Sequence, residues 1–456
     1  MLKEIIDTLE NIEHVKAYLV GGCVRDKILN LYSKDIDIEV FGLDIDTLIH
    51  ILKPFGKVSS VGKSFGVVKL TTLNDDFDFS LPRREVKVGK GHKCFNIEVD
   101  QNITVKEASK RRDFTFNSLM MNSKGEVIDN FGGISDLEEG ILKHTSLAFI
   151  EDPLRVLRGF QFAGRFDFTM APKTIILSQM LLKEFDTISI ERIWIELWKW
   201  ATKSIKPSKG LDVLEQTKWI TKFPELNALK GCFQNPQWHP EGDVWEHTKQ
   251  VCDAAVDICK REGIEGERKG IIVLAALLHD VGKPNTTHKN DGDNWVSPKH
   301  ASIGANIAEN FLGNLLAPTK VIEQVTALVS NHMWVTSLKT MTKPIVNRMI
   351  NKLSQVGLTI QDLAIIIEAD VSGRSPLPSH CPKLIKEAMI IAETIGNEIK
   401  PIIQGRHLIE MGLKPSPKFG IILSNLFERQ LDGEFVTLED GLIILSHLRI
   451  EGEVST

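Results

Sequence analysis

The stretch KDIDIEVFG at residues 34–42, with LVGGCVRD at residues 19–26 before it, decides the fold of the first part of the chain. Successive side chains of a strand point to opposite faces, so Asp35, Asp37 and Glu39 lie on one face. Neighbouring carboxylates repel each other unless a cation lies between them, and Mg²⁺ held by carboxylates and substrate phosphates meets that need. Taken alone, the aspartates also fit a solvated strand face.

The glycines of LVGGCVRD predict a turn that approaches phosphate. Gly21 and Gly22 follow a short apolar strand, and glycine has no side chain to keep a backbone away from a phosphate group. Arg25 and Asp26 then open a helix. A Gly-Gly turn that can approach phosphate, close in sequence to an acidic strand, strengthens the interpretation of Asp35 and Asp37 as metal ligands.

Composition limits the class of protein. The chain has 456 residues, of which 42% are hydrophobic and 25% are charged. This length predicts about two to four domains. No apolar run is long enough to span a bilayer of about 30 Å, and residues 1–15 form an amphipathic pattern that differs from a secretion signal. We therefore expect a cytoplasmic protein with no membrane role, whose six cysteines are reduced.

Nucleic-acid binding usually leaves a basic footprint, which the net charge of −5 does not supply. Local patches would have to provide it. The sequence SKRRD at residues 109–113 is one such patch, and a larger one at residues 82–93 contains Arg83, Arg84, Lys87, Lys90 and Lys93. A solvated basic loop is the alternative interpretation.

The chain changes character after its first domain. Residues 1–146 mix strand and helix patterns, which predicts an α+β domain. Later stretches such as ISIERIWIELWKW at residues 188–200 have apolar side chains at helical spacing, which predicts an all-helical remainder. Breaks rich in proline and polar residues then divide this remainder into a neck and body, a third domain and a tail, at residues 147–236, 237–380 and 381–456.

The opening motifs resemble the head of the DNA polymerase β nucleotidyltransferase superfamily, and residues 1–147 resemble the class II CCA-adding enzymes and the related bacterial poly(A) polymerases. Further segments are similar to family motifs in the family's order. They are a ribose- and phosphate-binding motif, RRDFTFNSLMMN at residues 111–122; a hinge, DNFGG at 129–133; a base-reading motif, EDPLR at 151–155; and the helix that braces it, ERIWIELWK at 191–199.

The resemblance implies a polymerase-β-like head with a mixed sheet, in which Asp35 and Asp37 are catalytic and hold Mg²⁺. It implies that the nucleotide is bound by Gly21, Gly22, Arg25, Arg112, Asp113, Asn117, Asp152, Arg155 and Arg158. It implies that the base-reading motif is supported by Glu151, Glu191, Arg192 and Glu196. An amphipathic core helix with Arg192 and Glu196 paired at i, i+4 is the alternative for the last motif.

The implied reaction is attack by the tRNA 3′-hydroxyl on the α-phosphate of CTP or ATP, with pyrophosphate leaving. A carboxylate that accepts from an exocyclic amine and a guanidinium that donates to the adjacent ring nitrogen match cytosine and adenine alike, whereas uracil and guanine have the reverse polarity. Asp152 and Arg155 can therefore select the base, with Glu151 orienting Arg155. Capping of a helix by Asp152, with Pro153 in its first turn, is a compatible alternative. Residues 77–100 occupy the place of the family's flexible loop, which favours full CCA addition.

A second chemical pattern follows in WEHT, LLHDVGKP, KHASIGA, SNHMW and IIEAD. Imidazoles and carboxylates interleaved on helices suit a divalent transition metal. The pattern resembles the HD superfamily of metal-dependent phosphohydrolases, which implies hydrolysis of 2′,3′-cyclic phosphates, 2′-nucleotides or terminal phosphates. The implied ligands are His247, His279, Asp280, His300, His332 and Asp370. A metal-free HD fold is the alternative.

We therefore predict a CCA-adding enzyme with an accessory HD phosphohydrolase domain, whose partners are tRNA, CTP and ATP. The tail at residues 381–456 is expected to contact tRNA, through Lys414 and Lys418 among others. A poly(A) polymerase or an A-adding enzyme has the same motifs. An RNA-binding regulator with an inactive head and an HD phosphohydrolase with a structural head are the alternatives of another class. The sequence leaves the oligomeric state open.

Overall fold

The computed structural model describes residues 1–32, 35–60, 66–87, 95–100 and 103–450, without the side chains of residues 60, 84–87, 95–99 and 448–450. The chain divides into two compact units, Met1–Pro224 and Glu225–Thr456. This boundary lies near the predicted end of the body at residue 236, and the finer division into head, body, HD domain and tail stays a prediction. Lys90, Lys93 and Cys94, from the expected flexible loop, lie outside the described residues.

The first unit combines a sheet with helices. Its strands are β1 (Lys16–Val20), β2 (Ile36–Phe41), β3 (Lys57–Ser60), β4 (Val67–Thr71), β5 (Asp76–Ser80), β6 (Arg83–Lys87), β7 (Phe95–Val99), β8 (Met120–Met121), β9 (Val127–Ile128), β10 (Ile141–Leu142) and β11 (Thr169–Met170). Its α-helices are α1 (Leu2–Glu10), α2 (Gly22–Ile28), α3 (Ile45–Leu52), α4 (Val105–Lys110), α5 (Gly133–Glu138), α6 (Leu154–Phe166), α7 (Pro172–Met180), α8 (Ile190–Lys203) and α9 (Pro207–Gln216). Its 3₁₀ helices are Lys53–Phe55, Thr115–Asn117, Leu147–Glu151, Leu181–Thr187 and Trp219–Lys222.

Within the described part of the head, the sheet has seven strands in the order β3-β4-β5-β2-β1-β8-β9. Strand β2 is parallel to β5 and antiparallel to β1, so the predicted mixed sheet is confirmed. The alternation of β2 determines which face is buried, because Ile38 and Val40 are fully buried in the head core with Phe77 and Phe79 of β5. The acidic side chains of both strands therefore lie on the opposite face.

The helices that follow the sheet pack around Trp200. Its indole stacks on Phe160 of α6, with ring centroids 5.1 Å apart, and Nε1 donates a hydrogen bond to the carbonyl of Pro207. A Cβ atom at Gly210 would lie 2.6 Å from that indole nitrogen, so α9 requires glycine there in order to approach α8. This packing fixes α8, which carries the predicted bracing motif, against α6.

The second unit is almost entirely helical, as predicted. Its helices are α10 (Pro224–Asn227), which begins at the boundary, α11 (Val244–Arg261), α12 (Gly266–Leu278), α13 (Lys283–Thr286), α14 (His300–Asn314), α15 (Thr319–Asn331), α16 (Lys343–Ser354), α17 (Ile360–Ser372), α18 (Lys383–Ile395), α19 (Gly405–Glu410), α20 (Lys418–Leu431) and α21 (Leu438–Ile450). A hairpin is formed by β12 (His288–Lys289) and β13 (Trp295–Val296).

Two expectations from composition can be compared with this fold. The cysteines within the described ranges, which leave out Cys94, are all free thiols. Among the helices that the structure describes, none has both the length and the apolar character needed to cross a membrane.

Candidate functional sites

The acidic face of β2 gains a carboxylate that the sequence analysis missed. Asp37 of β2 and Asp78 of β5 are direct partners in the parallel register, so their side chains lie side by side on the same face. Burial raises the pKa of the Asp37 carboxyl. The nearby carboxylates of Asp78 and Asp35 raise it further, whereas Arg112 lowers it. The alternation of DFDFS at residues 76–80 was a local signal for Asp78, but its pairing with β2 was not visible in the sequence.

The oxygen-rich face formed by Asp35, Asp37 and Asp78 fits a hard divalent cation. Mg²⁺ prefers carboxylate oxygens together with substrate phosphates and water. Burial and the neighbouring carboxylates of Asp78 and Asp35 together hold the pKa of Asp37 above its ordinary value, although Arg112 opposes them, and a bound cation would relieve this cost of ionising Asp37. The donor set therefore suits the expected metal.

The third acidic residue of the motif, Glu39, has a different environment. Its carboxylate is completely buried and accepts hydrogen bonds from Arg111 at 2.8 Å and Arg112 at 3.4 Å. Burial opposes ionisation of Glu39, but the two guanidinium groups outweigh it and hold the pKa of that carboxyl below its ordinary value. Glu39 thus orients two arginines beside the acidic face.

The Gly-Gly turn contacts one of these arginines. Gly21 has a φ of +70°, in the left-handed region that favours glycine, and a Cβ atom there would lie 2.8 Å from Nη1 of Arg112. The helix α2 begins directly after it, at Gly22. A side chain at position 21 would therefore strain the turn and displace Arg112.

Four of the predicted nucleotide-binding residues form one hydrogen-bond network. Arg25 donates to Asn117 at 2.7 Å, Asn117 donates to Asp113 at 3.0 Å, and Arg158 donates to Asp113 at 2.6 Å. Burial opposes ionisation of Asp113, but Arg158 and Asn117 outweigh it and hold its pKa below the ordinary value. The network connects α2, the 3₁₀ turn that contains Asn117, and α6.

The base-reading motif is braced by a contact between distant residues. Asp152 accepts a hydrogen bond from the backbone N–H of Leu154 at 3.0 Å and another from Arg192 at 2.7 Å. The N-cap position of α6 is occupied by Pro153, so Asp152 contacts the start of the helix from one residue earlier than the capping interpretation expected. Arg155 donates to the backbone carbonyls of Ala148 and Arg111 at 2.5 and 2.7 Å.

The support residues of the motif have different surroundings. Arg192 pairs with Asp152, and Glu196 pairs with Lys199 at 3.0 Å, so the i, i+4 pair considered from the sequence is not formed. Glu196 is buried, Glu151 is half-buried and Glu191 is exposed. The expected contact between Glu151 and Arg155 stays a prediction.

A cleft of about 430 Å³ brings most of the predicted residues together. Asp35, which precedes β2, is exposed and is not among the residues that line the cleft. Arg111 and Leu154 line the cleft although they were not predicted as site residues. The predicted residues that line the cleft are Gly21, Gly22, Arg25, Asp37, Arg112, Asp113, Asn117, Asp152, Arg155, Arg158 and Arg192.

The second unit contains a compact cluster of imidazoles and carboxylates. His247 Nε2 lies 3.3 Å from His279 Nε2 and 3.2 Å from Asp370, and His300 Nε2 lies 3.1 Å from His332 Nε2. Asp280 connects the two pairs, since its carboxylate is 3.2 Å from His279 and 3.3 Å from His300. All the predicted HD residues therefore converge from α11, α14 and α17 and from the ends of α12 and α15.

The tautomers of these histidines show that the cluster fits a metal. Nδ1 of His279, His300 and His332 faces a backbone carbonyl at 2.7 to 2.8 Å, and a carbonyl only accepts, so each Nδ1 carries the hydrogen. In the pair formed by His300 and His332, two neutral rings then present the lone pair of one Nε2 to that of the other, an arrangement that a cation stabilises. Burial, with His279 adding to it, lowers the pKa of His332 to about 4, so this ring is neutral at physiological pH.

Several residues around this cluster were missed by the sequence analysis. Glu241 accepts from Nδ1 of His247 at 2.8 Å and of His239 at 2.9 Å, and although burial opposes ionisation these hydrogen bonds lower the pKa of Glu241 to about 2. Lys283 and Arg374 lie 2.6 and 2.7 Å from Asp280 and Asp370. Their signal in the sequence was proximity to the ligands in WHPEGD, HDVGK and ADVSGR.

Comparisons with known proteins match the two domains that contain these sites. The model of the poly A polymerase head domain matches residues 17–143, and the HD domain model matches residues 244–356. A solved CCA-adding enzyme of Bacillus stearothermophilus in complex with CTP has a similar fold, with a TM-score of 0.64 and 18% identity over 99% of this chain and 98% of that one. A Thermotoga maritima CCA-adding enzyme complexed with tRNA gives a TM-score of 0.55 at 20% identity, over 97% of this chain and 94% of that one.

Curated relatives have higher identity. The multifunctional CCA protein of Nitrosospira multiformis is 37% identical over 276 residues, which are 60% of this chain and 63% of that protein. The multifunctional CCA protein of Vibrio vulnificus strain YJ016 is 30% identical over 400 residues, which are 86% of this chain and 93% of that protein. Since that relative is at least 30% identical and the similarity covers most of both chains, the chain belongs to the family of multifunctional CCA proteins.

Proposed function

We propose that this chain adds CCA to the 3′ end of tRNA from CTP and ATP, and that its HD domain hydrolyses phosphoesters. One observation carries the first part. A single cleft joins the Gly-Gly turn, the carboxylate of Asp37 and the base-reading pair Asp152 and Arg155. A site in which protein groups contact a triphosphate, a metal and a base edge together is what template-independent addition requires.

The residues of the head would act mainly by positioning. Asp35, Asp37 and Asp78 would hold Mg²⁺, which when bound activates the attacking hydroxyl and balances charge on the attacking and leaving oxygens. Arg112, oriented by Glu39, presents a guanidinium to the phosphates beside Gly21. Fixed geometry of this kind can lower a barrier by as much as about 7 to 11 kcal/mol.

The base is selected by hydrogen-bond polarity. Arg192 and the N–H of Leu154 hold the Asp152 carboxylate, which keeps lone pairs for the exocyclic amine of cytosine or adenine. Arg155 is anchored by two backbone carbonyls and keeps further N–H groups for the adjacent ring nitrogen. Uracil and guanine would leave buried groups unsatisfied at a cost of about 1 to 3 kcal/mol for each group.

The HD cluster supports hydrolysis of 2′,3′-cyclic phosphates, 2′-nucleotides or terminal phosphates. His247, His279, Asp280, His300, His332 and Asp370 would hold one or two divalent transition metals, which supply an activated water. Lys283 and Arg374 lie beside these carboxylates and give positive charge for a phosphate. A tRNA end blocked by a cyclic phosphate has no free 3′-hydroxyl, so we propose that this activity prepares ends for repair.

Division of the chain into residues 1–146, 147–236, 237–380 and 381–456 is part of the proposal. The last segment has a hydrophobic core of its own, which supports treating it as a separate tail domain for tRNA contact. This core consists of Ile403, Leu408, Leu413, Leu426, Phe435 and Leu445. The cytoplasmic location expected from the sequence is not tested by the fold and stays a prediction.

Incubation with tRNA that lacks its end, together with labelled CTP and ATP, tests the first activity. We expect incorporation of two cytidines and one adenosine, read by sequencing the product end, and none with Asp37→Ala. Long adenosine tracts would instead identify a poly(A) polymerase, and a single adenosine an A-adding enzyme. Absence of incorporation by the unaltered chain would favour the regulator or the HD hydrolase with a structural head.

Hydrolysis of 2′,3′-cyclic nucleotides in the presence of divalent metals tests the second activity. We expect His279→Ala to abolish it and to leave CCA addition to tRNA with a free 3′-hydroxyl unchanged. The same variant should fail to repair tRNA that ends in a cyclic phosphate. If His279→Ala repairs such tRNA as well as the unaltered chain does, the proposed coupling of the two activities is wrong.

A further inference from the structure

The HD cluster opens into a cavity much larger than a phosphate needs. Its volume is about 990 Å³, at the upper end of the roughly 300 to 1,000 Å³ typical of sites for small organic ligands. His300, His332 and Asp370 lie in its wall, together with Lys283 and Arg374. The aromatic and apolar lining residues include Trp238, Trp295, Met333, Val335, Leu377 and Pro378. The cavity therefore combines a charged, metal-suited part with an aromatic and apolar part.

Two aromatic side chains of this cavity belong to segments that also build the metal cluster. Trp238 precedes His239, whose ring packs against His247 with centroids 4.8 Å apart. Trp295 lies on β13, just before Ser297, whose carbonyl accepts from Nδ1 of His300 at 2.7 Å. Both indoles are thus held near the cluster by backbone segments with fixed contacts.

The two indoles differ in how they are supported. Trp295 is half-buried and stacks on Phe233, with centroids 5.2 Å apart and planes inclined by 18°. Trp238 is 59% exposed although it lines the cavity. A large exposed indole at the mouth of a cavity presents an apolar face that a flat ligand can cover.

We infer that Trp238 binds the nucleobase of the nucleoside that carries the scissile phosphoester at the HD cluster. The inference rests on the proposed phosphohydrolase function. A nucleotide has the chemistry of this cavity, because its phosphate is anionic and matches Lys283 and Arg374 whereas its base is a flat π system. Stacking is tolerant of base identity, since every base has a π face.

The test compares two substrates with the same ester. Adenosine 2′,3′-cyclic phosphate has a base, and methyl riboside 2′,3′-cyclic phosphate has none. In Trp238→Ala we expect kcat/KM for the adenosine substrate to fall by about 5- to 150-fold, the range that loss of one stacked base produces, and kcat/KM for the riboside to stay unchanged. Trp238→Phe should retain most of the preference for the adenosine substrate over the riboside, because phenylalanine also presents an aromatic face.

Ile390→Ala provides the matched control, since Ile390 is an exposed apolar residue of the same unit and lies on α18. This substitution should leave kcat/KM unchanged for both substrates. The inference is overturned if Trp238→Ala lowers kcat/KM equally for both substrates, or if the unaltered chain has no preference for the adenosine substrate. In either case, hydrolysis of the two substrates would still support the proposed phosphohydrolase function.

Binding separates the inference from catalysis. Calorimetric titration of the metal-loaded protein with adenosine 2′-phosphate should give an affinity that Trp238→Ala weakens by a similar factor. If neither cyclic substrate is hydrolysed but this binding depends on Trp238, the phosphohydrolase proposal fails and the base site stands. If binding is unaffected by Trp238→Ala, the base site is refuted.

Discussion

Arg192 on α8 donates a hydrogen bond of 2.7 Å to the carboxylate of Asp152, 40 residues earlier in the chain. The contact is partly buried, and it joins the helix that braces the base-reading motif to the motif itself. Asp152 is therefore held in place by a cation before a nucleotide binds. The relationship gives Arg192 the role of a positioning residue that acts through Asp152.

Arg192→Gln should weaken base selection. Loss of a hydrogen bond to a charged group costs about 1.5 to 3 kcal/mol, which corresponds to roughly 10- to 150-fold in discrimination. We expect kcat/KM for CTP to fall relative to that for UTP, measured by single-nucleotide incorporation into tRNA. Lys222→Gln removes an exposed ion pair with Asp186 in the same unit and should have no effect. Unchanged discrimination in Arg192→Gln would contradict the bracing role.

Asp78→Asn should impair nucleotidyl transfer at least about ten-fold and shift its Mg²⁺ dependence to higher concentration, because the variant loses one anionic oxygen ligand. The measurement is the rate of CTP addition across a magnesium titration. Asp76→Asn is the control, since Asp76 lies on the same strand but pairs with Lys69 at 3.0 Å. If the two substitutions have equal effects, Asp78 stabilises the strand and does not bind the metal.

Asp113 should give the head a component of stability that depends on pH. Arg158 and Asn117 outweigh burial and depress the pKa of Asp113, so the ionised carboxylate stabilises the folded state. This contribution is complete above the unfolded-state pKa of about 3.9 and is lost as pH falls through the lower folded-state pKa.

Thermal unfolding of Asp113→Asn and of the unaltered chain between about pH 3 and about pH 7 measures this component. The difference in stability should be largest near neutral pH and should shrink in acid. Asp186→Asn, at a side chain that is 76% exposed, should show no such trend. A stability difference for Asp113→Asn that is the same at every pH would rule out the electrostatic explanation.

Glu241→Gln should weaken metal binding at the HD cluster by about 10- to 100-fold, as loss of a carboxylate that orients a histidine ligand usually does. Glu241 accepts from Nδ1 of His247, and Gln orients that ring less firmly. Competition with a chelator, read by metal analysis of the protein, measures the change independently of activity. Glu246→Gln, half exposed and paired with Lys249 on α11, is the matched control. Metal affinity unchanged by Glu241→Gln would disprove this role.

Local pattern was enough to predict much of the fold. The period of two in KDIDIEVFG set the acidic face of β2, because successive strand residues point to opposite sides whatever the rest of the chain does. Gly21 was recognisable because a left-handed turn favours glycine, and this preference depends on the local backbone and not on distant residues. The histidines and aspartates of the HD cluster were likewise found from residue type and order, since metal ligands form a small chemical set.

By itself, then, the sequence determined the periodicity of its elements, the positions of its glycines and the inventory of its ligands. The tertiary structure alone decided that Asp78 lies beside Asp37, that Arg192 reaches Asp152 and that Glu241 holds His247. These are contacts between residues far apart in the chain. Strand register and helix packing bring them together, and both depend on how the whole core fills space, which no short stretch of sequence encodes.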